Sequence, residues 1–327
     1  MSETKKQFSI AQFYSKFGMF FILIALFIVA SIASPNFLTQ TNLTNVLRQI
    51  TVVTILACGC SFVMISGNIN IGYDGILVCV GCGSAMVYAA TQNLFIAVAA
   101  GIVFGVIFGI GYGVFVTTFK IPGFIVGLAM TSIGSGIILL ATGGNKVPKT
   151  ELGNFSVIGQ GYVGPIPICV IIMIGVLIVC HIILKKSRFG MKVMAVGGNR
   201  EAAVTSGINV NKVIRQVFIL DGICCAIGSI IFMSRLNSGD PAAGGGICFD
   251  AITAACVGGV SIAGGEGTIV GSFIGAVIVG IIDNLLNLLN VNANFQDIVS
   301  GVVIIVAIVV DVSVKRAIAN NVKKAVR

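Results

Sequence analysis

The sequence predicts an all-α integral membrane protein of about ten transmembrane helices, forming one domain over residues 1–327. Hydrophobic residues make up 57% of the chain and charged residues 9%, with a mean hydropathy of +1.06. Soluble chains carry about 25% charged residues. Apolar runs of about 20 residues, the length that crosses a bilayer, recur along the whole sequence. Basic residues collect between alternate runs, as the positive-inside rule requires of a multi-pass chain. The 42 glycines suit helices whose backbones approach closely in lipid.

In order, the spans fall at about residues 17–34, 46–66, 75–92, 94–118, 121–142, 165–184, 213–234, 250–264, 268–290 and 297–314. The third and eighth are short, which fits tilted, broken or partly re-entrant helices. With residues 1–16 in the cytoplasm and ten alternating spans, only Arg48, Lys146, Lys149 and Arg235 lie outside. The other sixteen of the 20 basic residues lie inside, most of them in the loop 185–212 and the tail 315–327. An odd number of spans would strand that tail outside, so both termini are expected in the cytoplasm. Lys5, Lys6 and Lys16 ahead of an apolar run resemble a signal peptide, but a retained first span is the expectation. Gly101, Gly105 and Gly109 in span four are matched by Gly267, Gly271 and Gly275 at span nine. Spans five apart cross in opposite directions, compatible with two five-helix halves of inverted topology. Glycine stripes are also common in any membrane bundle.

The net charge of +9 does not indicate nucleic acid, because no basic and aromatic residues cluster as on a binding face. Nine of the ten cysteines lie in or beside apolar stretches and Cys248 in a loop, as expected of small packing residues. Cys79 and Cys82 form a CxxC without a second ligand pair, and His181 is the one histidine. No metal site is expected. Phosphate-loop, nucleophile-elbow and zinc-protease motifs are absent, so the chain is expected to be no enzyme and to bind no cofactor of its own.

Residues 185–212 form the one sizeable polar excursion between spans on the inner side. Within it, Asn199 is placed to cap a short helix and Glu201 to complement its first turn. Ala202 and Ala203 favour helix, and Gly207 stops it. About seven helical residues are unstable alone and must dock, either on the chain's own bundle or on a cytoplasmic partner. Two further segments are polar and rich in glycine or proline: residues 67–74 and 235–250. Irregular backbone within a membrane is tolerated where it lines a wet cavity, so Asn68, Asn70, Asp74, Asn237, Asp240 and Asp250 are candidates for a translocation path.

From Gly190 to Asp311 the chain resembles the ribose/monosaccharide-type permease subunit of bacterial ATP-binding cassette (ABC) importers. Three stretches carry the resemblance. The first runs Gly197-Gly198-Asn199-Arg200-Glu201-Ala202-Ala203-Val204-Thr205-Ser206-Gly207-Ile208. The second runs from Ala251 through Gly264-Gly265-Glu266-Gly267-Thr268, and the third is Leu285-Leu286-Asn287-Leu288-Leu289. The resemblance implies a multi-pass permease of the bacterial inner membrane. Gly197, Gly198, Asn199, Arg200, Glu201, Ala202, Ala203, Ser206, Gly207 and Ile208 would seat in a separate ATPase subunit that binds ATP–Mg. It further implies a second permease copy, a homodimer, and an extracytoplasmic solute-binding protein, with a monosaccharide such as ribose as solute.

The chain departs from that family after its second span. The usual Gly-Gly-Ile-Asp-Leu-Ser-Val-Gly is replaced by Gly67-Asn68-Ile69-Asn70-Ile71-Gly72-Tyr73-Asp74, and Glu266 stands where lysine is common. The usual acid becomes Asn70, and a new acid appears at Asp74. Asp221 lies near the middle of span seven and Asp283 in the outer half of span nine, where charges are expensive and face partners in the bundle or carry protons. A proton- or sodium-coupled secondary transporter is therefore the alternative, and a non-transporting scaffold a third reading.

Overall fold

The structure is a computed structural model. It describes residues 19–148, 151–292, 295, 298–299, 301–303, 305–306 and 309. Its helices begin where side chains can satisfy the first free amides. Thr39 caps α2 (Gln40–Ile65), Asn93 caps α4 (Leu94–Thr118), Ser187 caps α8 (Arg188–Gly198) and Asn209 caps α10 (Val210–Leu236). Helices α3 (Tyr73–Thr91), α5 (Gly123–Thr142) and α10 end on Gln92, Gly143 and Asn237 in the left-handed conformation, whose amides donate to carbonyls of the last turn.

Seven helices among the described residues are long and apolar enough to cross a membrane: α2, α3, α4, α5, α7 (Ile168–Lys186), α10 and α12 (Ile269–Leu288). Helix α1 (Met19–Ala33) is described only from residue 19 and packs Ala30 against Ile281 of α12. The bounds of the predicted short eighth span, 250–264, are corrected. Only α11 (Ile247–Val257) is helical there, about 16 Å long, half the depth of a bilayer core. Residues 258–268 return to α12 irregularly. Most of the predicted tenth span, and the segments 1–16 and 315–327, lie outside the described residues.

Helices α2 and α10 form the centre. Every residue of α2 from Thr51 to Ile65 is buried. A helix apolar all round belongs inside. Helices α4, α5 and α7 turn apolar faces outward, including Phe95, Ile107, Leu140 and Ile178. The glycines set the closest approaches. Gly105 lies against Gly222 and Ala226 of α10, and Gly109 against Phe218. The second stripe faces a different kind of neighbour: Gly271 and Gly275 pack on Gly258 and Ala254 at the end of α11. Polar pairs tie α2 to α12, Ser61 to Ser272 at 2.7 Å and Asn42 to Asn284 through hydrogen bonds of 2.8 and 3.0 Å. Between α5 and α7 lie a 3-10 turn (Gly153–Ser156), α6 (Val157–Gln160) and a small hairpin. Its strands β1 (Tyr162–Val163) and β2 (Ile166–Pro167) pair antiparallel, with Val163 opposite Ile166.

Candidate functional site: the basic loop and two broken segments

The end of the bundle carrying Lys185 and Lys186 is built by α8 and α9 (Arg200–Thr205). Asn199 closes α8 and opens α9, its Oδ1 accepting from the Ala202 amide at 2.9 Å. Glu201 stands in the first turn, and Gly207 ends the motif at φ +76°. Arg200, Glu201, Ala202, Val204 and Thr205 are exposed, with Ser206 and Gly207 beyond them. Ala203 is not, at 3% exposure, and Ile208 is half-buried. Of the ten residues expected to seat in an ATPase, Ala203 turns its methyl into the protein's own core.

The same end holds a junction of three backbones. The Gly265 amide donates to the Ile65 carbonyl at 2.8 Å. A Cβ on Gly197 would overlap that carbonyl and fall 2.7 Å from the Gly265 nitrogen. Gly264 has φ +89°, and a Cβ there would stand 2.8 Å from the Gly197 carbonyl and 3.0 Å from the Gly67 Cα. The end of α2, the end of α8 and the α11–α12 loop therefore meet with no room for a side chain.

From this junction residues 67–72 run back alongside the bundle. Gly67 turns the chain at φ +79°, and Asn68 donates to the Ser66 hydroxyl at 3.1 Å. Asn70, 2% exposed, donates through Nδ2 to Asp221 Oδ2 at 2.7 Å and accepts the Gly72 amide at 2.7 Å. The Tyr73 hydroxyl donates to Asp221 Oδ1 at 2.6 Å. Asp221 lies eleven residues into α10, about 16 Å from its start, so the segment ends at mid-height of the bundle. The candidate role of Asn70 as a path residue is accordingly revised: its side chain is committed to Asp221 and buried.

A second irregular segment, residues 237–246, enters from the opposite end. There Lys146 Nζ pairs with Asp240 Oδ2 at 2.6 Å, and Val147 and Gly239 exchange two backbone hydrogen bonds. Partial burial opposes ionisation of Asp240, but Lys146 and the Ala242 amide hold its carboxyl below the usual carboxylate range. Asn237 and Asp240 are half-buried. Gly244 then passes against Val78 and the Asp74 backbone, and α11 begins beside α3. Asp74 accepts the Cys248 amide at 2.8 Å and the Gly246 amide at 3.3 Å, capping α11 from another helix. Asp250 stands in the first turn of α11 and Cys248 is buried there, so neither belongs to the loop as expected. The structure brings Asp74 to the α11 start near Asp250 and Asn70 to Asp221 of α10, while Asn68 lies at one end of the bundle and Asn237 and Asp240 at the other. Tyr73 and Lys146 were missed as partners because their acids are 148 and 94 residues away in sequence. No group of metal-ligating residues occurs among the described residues.

Residues 42–308 match the family model for the branched-chain amino acid transport system / permease component. The ribose import permease protein RbsC of Bacillus subtilis (strain 168) is 38% identical over 299 residues, covering 90% of this chain and 92% of that one. Its counterpart in Escherichia coli (strain K12) is 36% identical over 292 residues, covering 88% and 91%. The L-arabinose transport system permease protein AraH of the same organism is 33% identical over 307 residues, covering 94% and 93%. Among solved structures, an inward-facing metal-chelate type ABC transporter superposes with a TM-score of 0.50 at 15% identity, over 93% of this chain and 98% of the other. That likeness speaks to the fold alone. The chain belongs to the branched-chain amino acid transport system / permease component family and is a multi-pass membrane permease subunit of the ABC importer type, not itself an enzyme.

Proposed function

We propose that this chain carries a monosaccharide, ribose or a similar pentose, across the bacterial inner membrane as part of an ABC importer. The observation that carries the reading is the similarity to ribose import permeases over about nine-tenths of both chains. The exposed face of α9 seats in a separate ATPase subunit, which binds ATP–Mg. ATPase closure pushes α9 and α8. The glycine contacts among Gly197, Gly265, Ile65 and Gly67 pass that movement to residues 67–72, and so to Asn70 and Tyr73 at mid-height.

Ten crossings, the eighth made jointly by residues 237–246 and the short α11, with both termini in the cytoplasm, are part of this reading. So are two halves of inverted topology. It is not the glycine stripes that support the halves, since these face different neighbours. It is the pairing of two long central helices, α2 and α10, each followed by an irregular segment that turns back along the bundle toward mid-height. A second copy of the chain completes the path, and an extracytoplasmic binding protein delivers the sugar beside the Lys146–Asp240 end.

The test is reconstitution. The chain, its neighbouring ATPase and its binding protein are placed in proteoliposomes, and labelled ribose, arabinose and a branched-chain amino acid are offered with and without ATP. ATP-dependent uptake of a pentose bears the reading out. ATP-independent uptake driven by a proton or sodium gradient overturns it in favour of the secondary carrier. The satisfied state of Asp221 already argues against a free proton-carrying acid there.

A further inference from the structure

A groove of about 430 Å³ opens at the basic end between α7, α8 and α10. It is lined by Lys192 of α8 and by Lys212 and Gln216 of α10, all exposed, and by the half-buried Leu220, Ile183 and Phe189. Lys212, Gln216 and Leu220 recur at four-residue spacing, so they share one face of α10 and span about 12 Å. Polarity therefore falls along the groove, from two cations to a hydrocarbon surface. Neither lysine has an ion-pair partner among the described residues; the ion pair there, Lys146–Asp240, is at the opposite end of the bundle. Outside the groove, α7 presents Ile178, Val179 and Ile182 to the surroundings, the face expected to meet lipid.

We propose that this groove is a binding site for one anionic phospholipid, with the headgroup phosphate between Lys192 and Lys212 and an acyl chain against Leu220 and Ile183. The charge is complementary, and basic pockets between membrane helices favour anionic headgroups. The gradient selects an amphiphile. A free phosphate would leave the apolar wall unused, and an acidic protein segment would carry its backbone polar groups down to that wall without partners. Its test requires neither the transported solute nor the ATPase.

The experiment uses the full purified chain alone. It is equilibrated with equimolar phosphatidylglycerol and phosphatidylcholine of the same acyl composition, and bound lipid is counted by native mass spectrometry. The chain retains one phosphatidylglycerol preferentially. Lys192→Gln with Lys212→Gln reduces that retention by about 30-fold, the expected effect of removing two interfacial cations. Lys185→Gln with Lys186→Gln, an equal charge change outside the groove lining, leaves it within about twofold. Leu220→Trp, which fills the inner end and keeps both lysines, also lowers retention. Millimolar inorganic phosphate does not displace the lipid; displacement would mean that the groove reads phosphate alone. Equal retention of the two lipids by the native chain, an ordered lipid that survives the Lys192/Lys212 change, or indifference to Leu220→Trp overturns the proposal. The lipid comparison on the native chain stands even where a variant fails to fold.

Discussion

Asn70 and Asp221, 151 residues apart in the chain, are joined by a buried hydrogen bond of 2.7 Å, and Tyr73 closes the other carboxylate oxygen at 2.6 Å. One carboxylate thus fastens the segment after α2 to the middle of α10. Asp221→Ala removes both acceptors and leaves the Asn70 amide and the Tyr73 hydroxyl buried without partners. A loss of about 3–5 kcal/mol is expected, from two hydrogen bonds to a charged group. Asp221→Asn keeps the shape and one acceptor, and is expected to lose about half as much. Thermal unfolding of the purified chain measures both. ATP-driven uptake by Asp221→Asn is expected to persist at the temperature where that variant is folded. Its selective abolition in a folded protein would make Asp221 a transport acid instead.

Asp74 acts on a different helix. Its carboxylate holds the Gly246 and Cys248 amides, the first orphan donors of α11. Asp74→Ala is expected to weaken the start of α11 by about 1–2 kcal/mol. The buried thiol of Cys248 reports it. All ten cysteines are free and buried, so the native chain should react slowly with a membrane-permeant thiol reagent. In Asp74→Ala, modification of Cys248 is expected to rise about tenfold while Cys58 and Cys225 stay slow. Equal acceleration at all three would signal general unfolding, and no acceleration would mean that Asp74 does not hold the helix.

How far these features were legible in the sequence depends on the range of the interactions. The Asn199 cap, the short helix after it and the turn at Gly207 follow from residues within a few positions of one another, so local chemistry read them. The inward turn of Ala203 was not legible, because a helix of six residues has too few positions to reveal which face is buried. The shortness of span eight was visible, but its cause was not, since α11 starts only where Asp74, 172 residues earlier, supplies a cap. The glycine stripes were legible as stripes, but a lone sequence does not say that one would meet α10 and the other α11. Asn70 was visible as a departure from the family pattern, and its meaning required Asp221.

Gly197 is expected to tolerate no side chain. In Gly197→Ala the new methyl overlaps the Ile65 carbonyl and crowds the Gly265 nitrogen at 2.7 Å, all of it backbone that cannot rotate away. The end of α8 must shift, at about 1–3 kcal/mol. Gly175→Ala on α7 is the control: nothing lies within 4 Å of its new methyl, and a helical glycine replaced by alanine is neutral or slightly stabilising. Uptake per ATP hydrolysed is expected to fall in Gly197→Ala and to stay unchanged in Gly175→Ala. Loss of protein in the membrane, rather than loss of coupling, would assign Gly197 to folding alone.

The seat for the ATPase is tested on the side chains that face outward. Glu201 is exposed and Val204 is 58% exposed, whereas Ala203 is 3% exposed. Glu201→Arg with Val204→Arg places two bulky cations on the outer face of α9 without touching the core. Capture of the ATPase by the purified permease is expected to fall at least tenfold, about 1.4 kcal/mol or more, with the permease still monodisperse. Ala203→Arg gives the contrasting result. It forces a guanidinium into an apolar site, so the permease itself loses stability by several kcal/mol whether or not an ATPase is present. Native capture by the Glu201/Val204 variant would move the contact off α9. Loss of capture that appears only together with loss of permease stability would mean that α9 braces its own bundle and meets no partner.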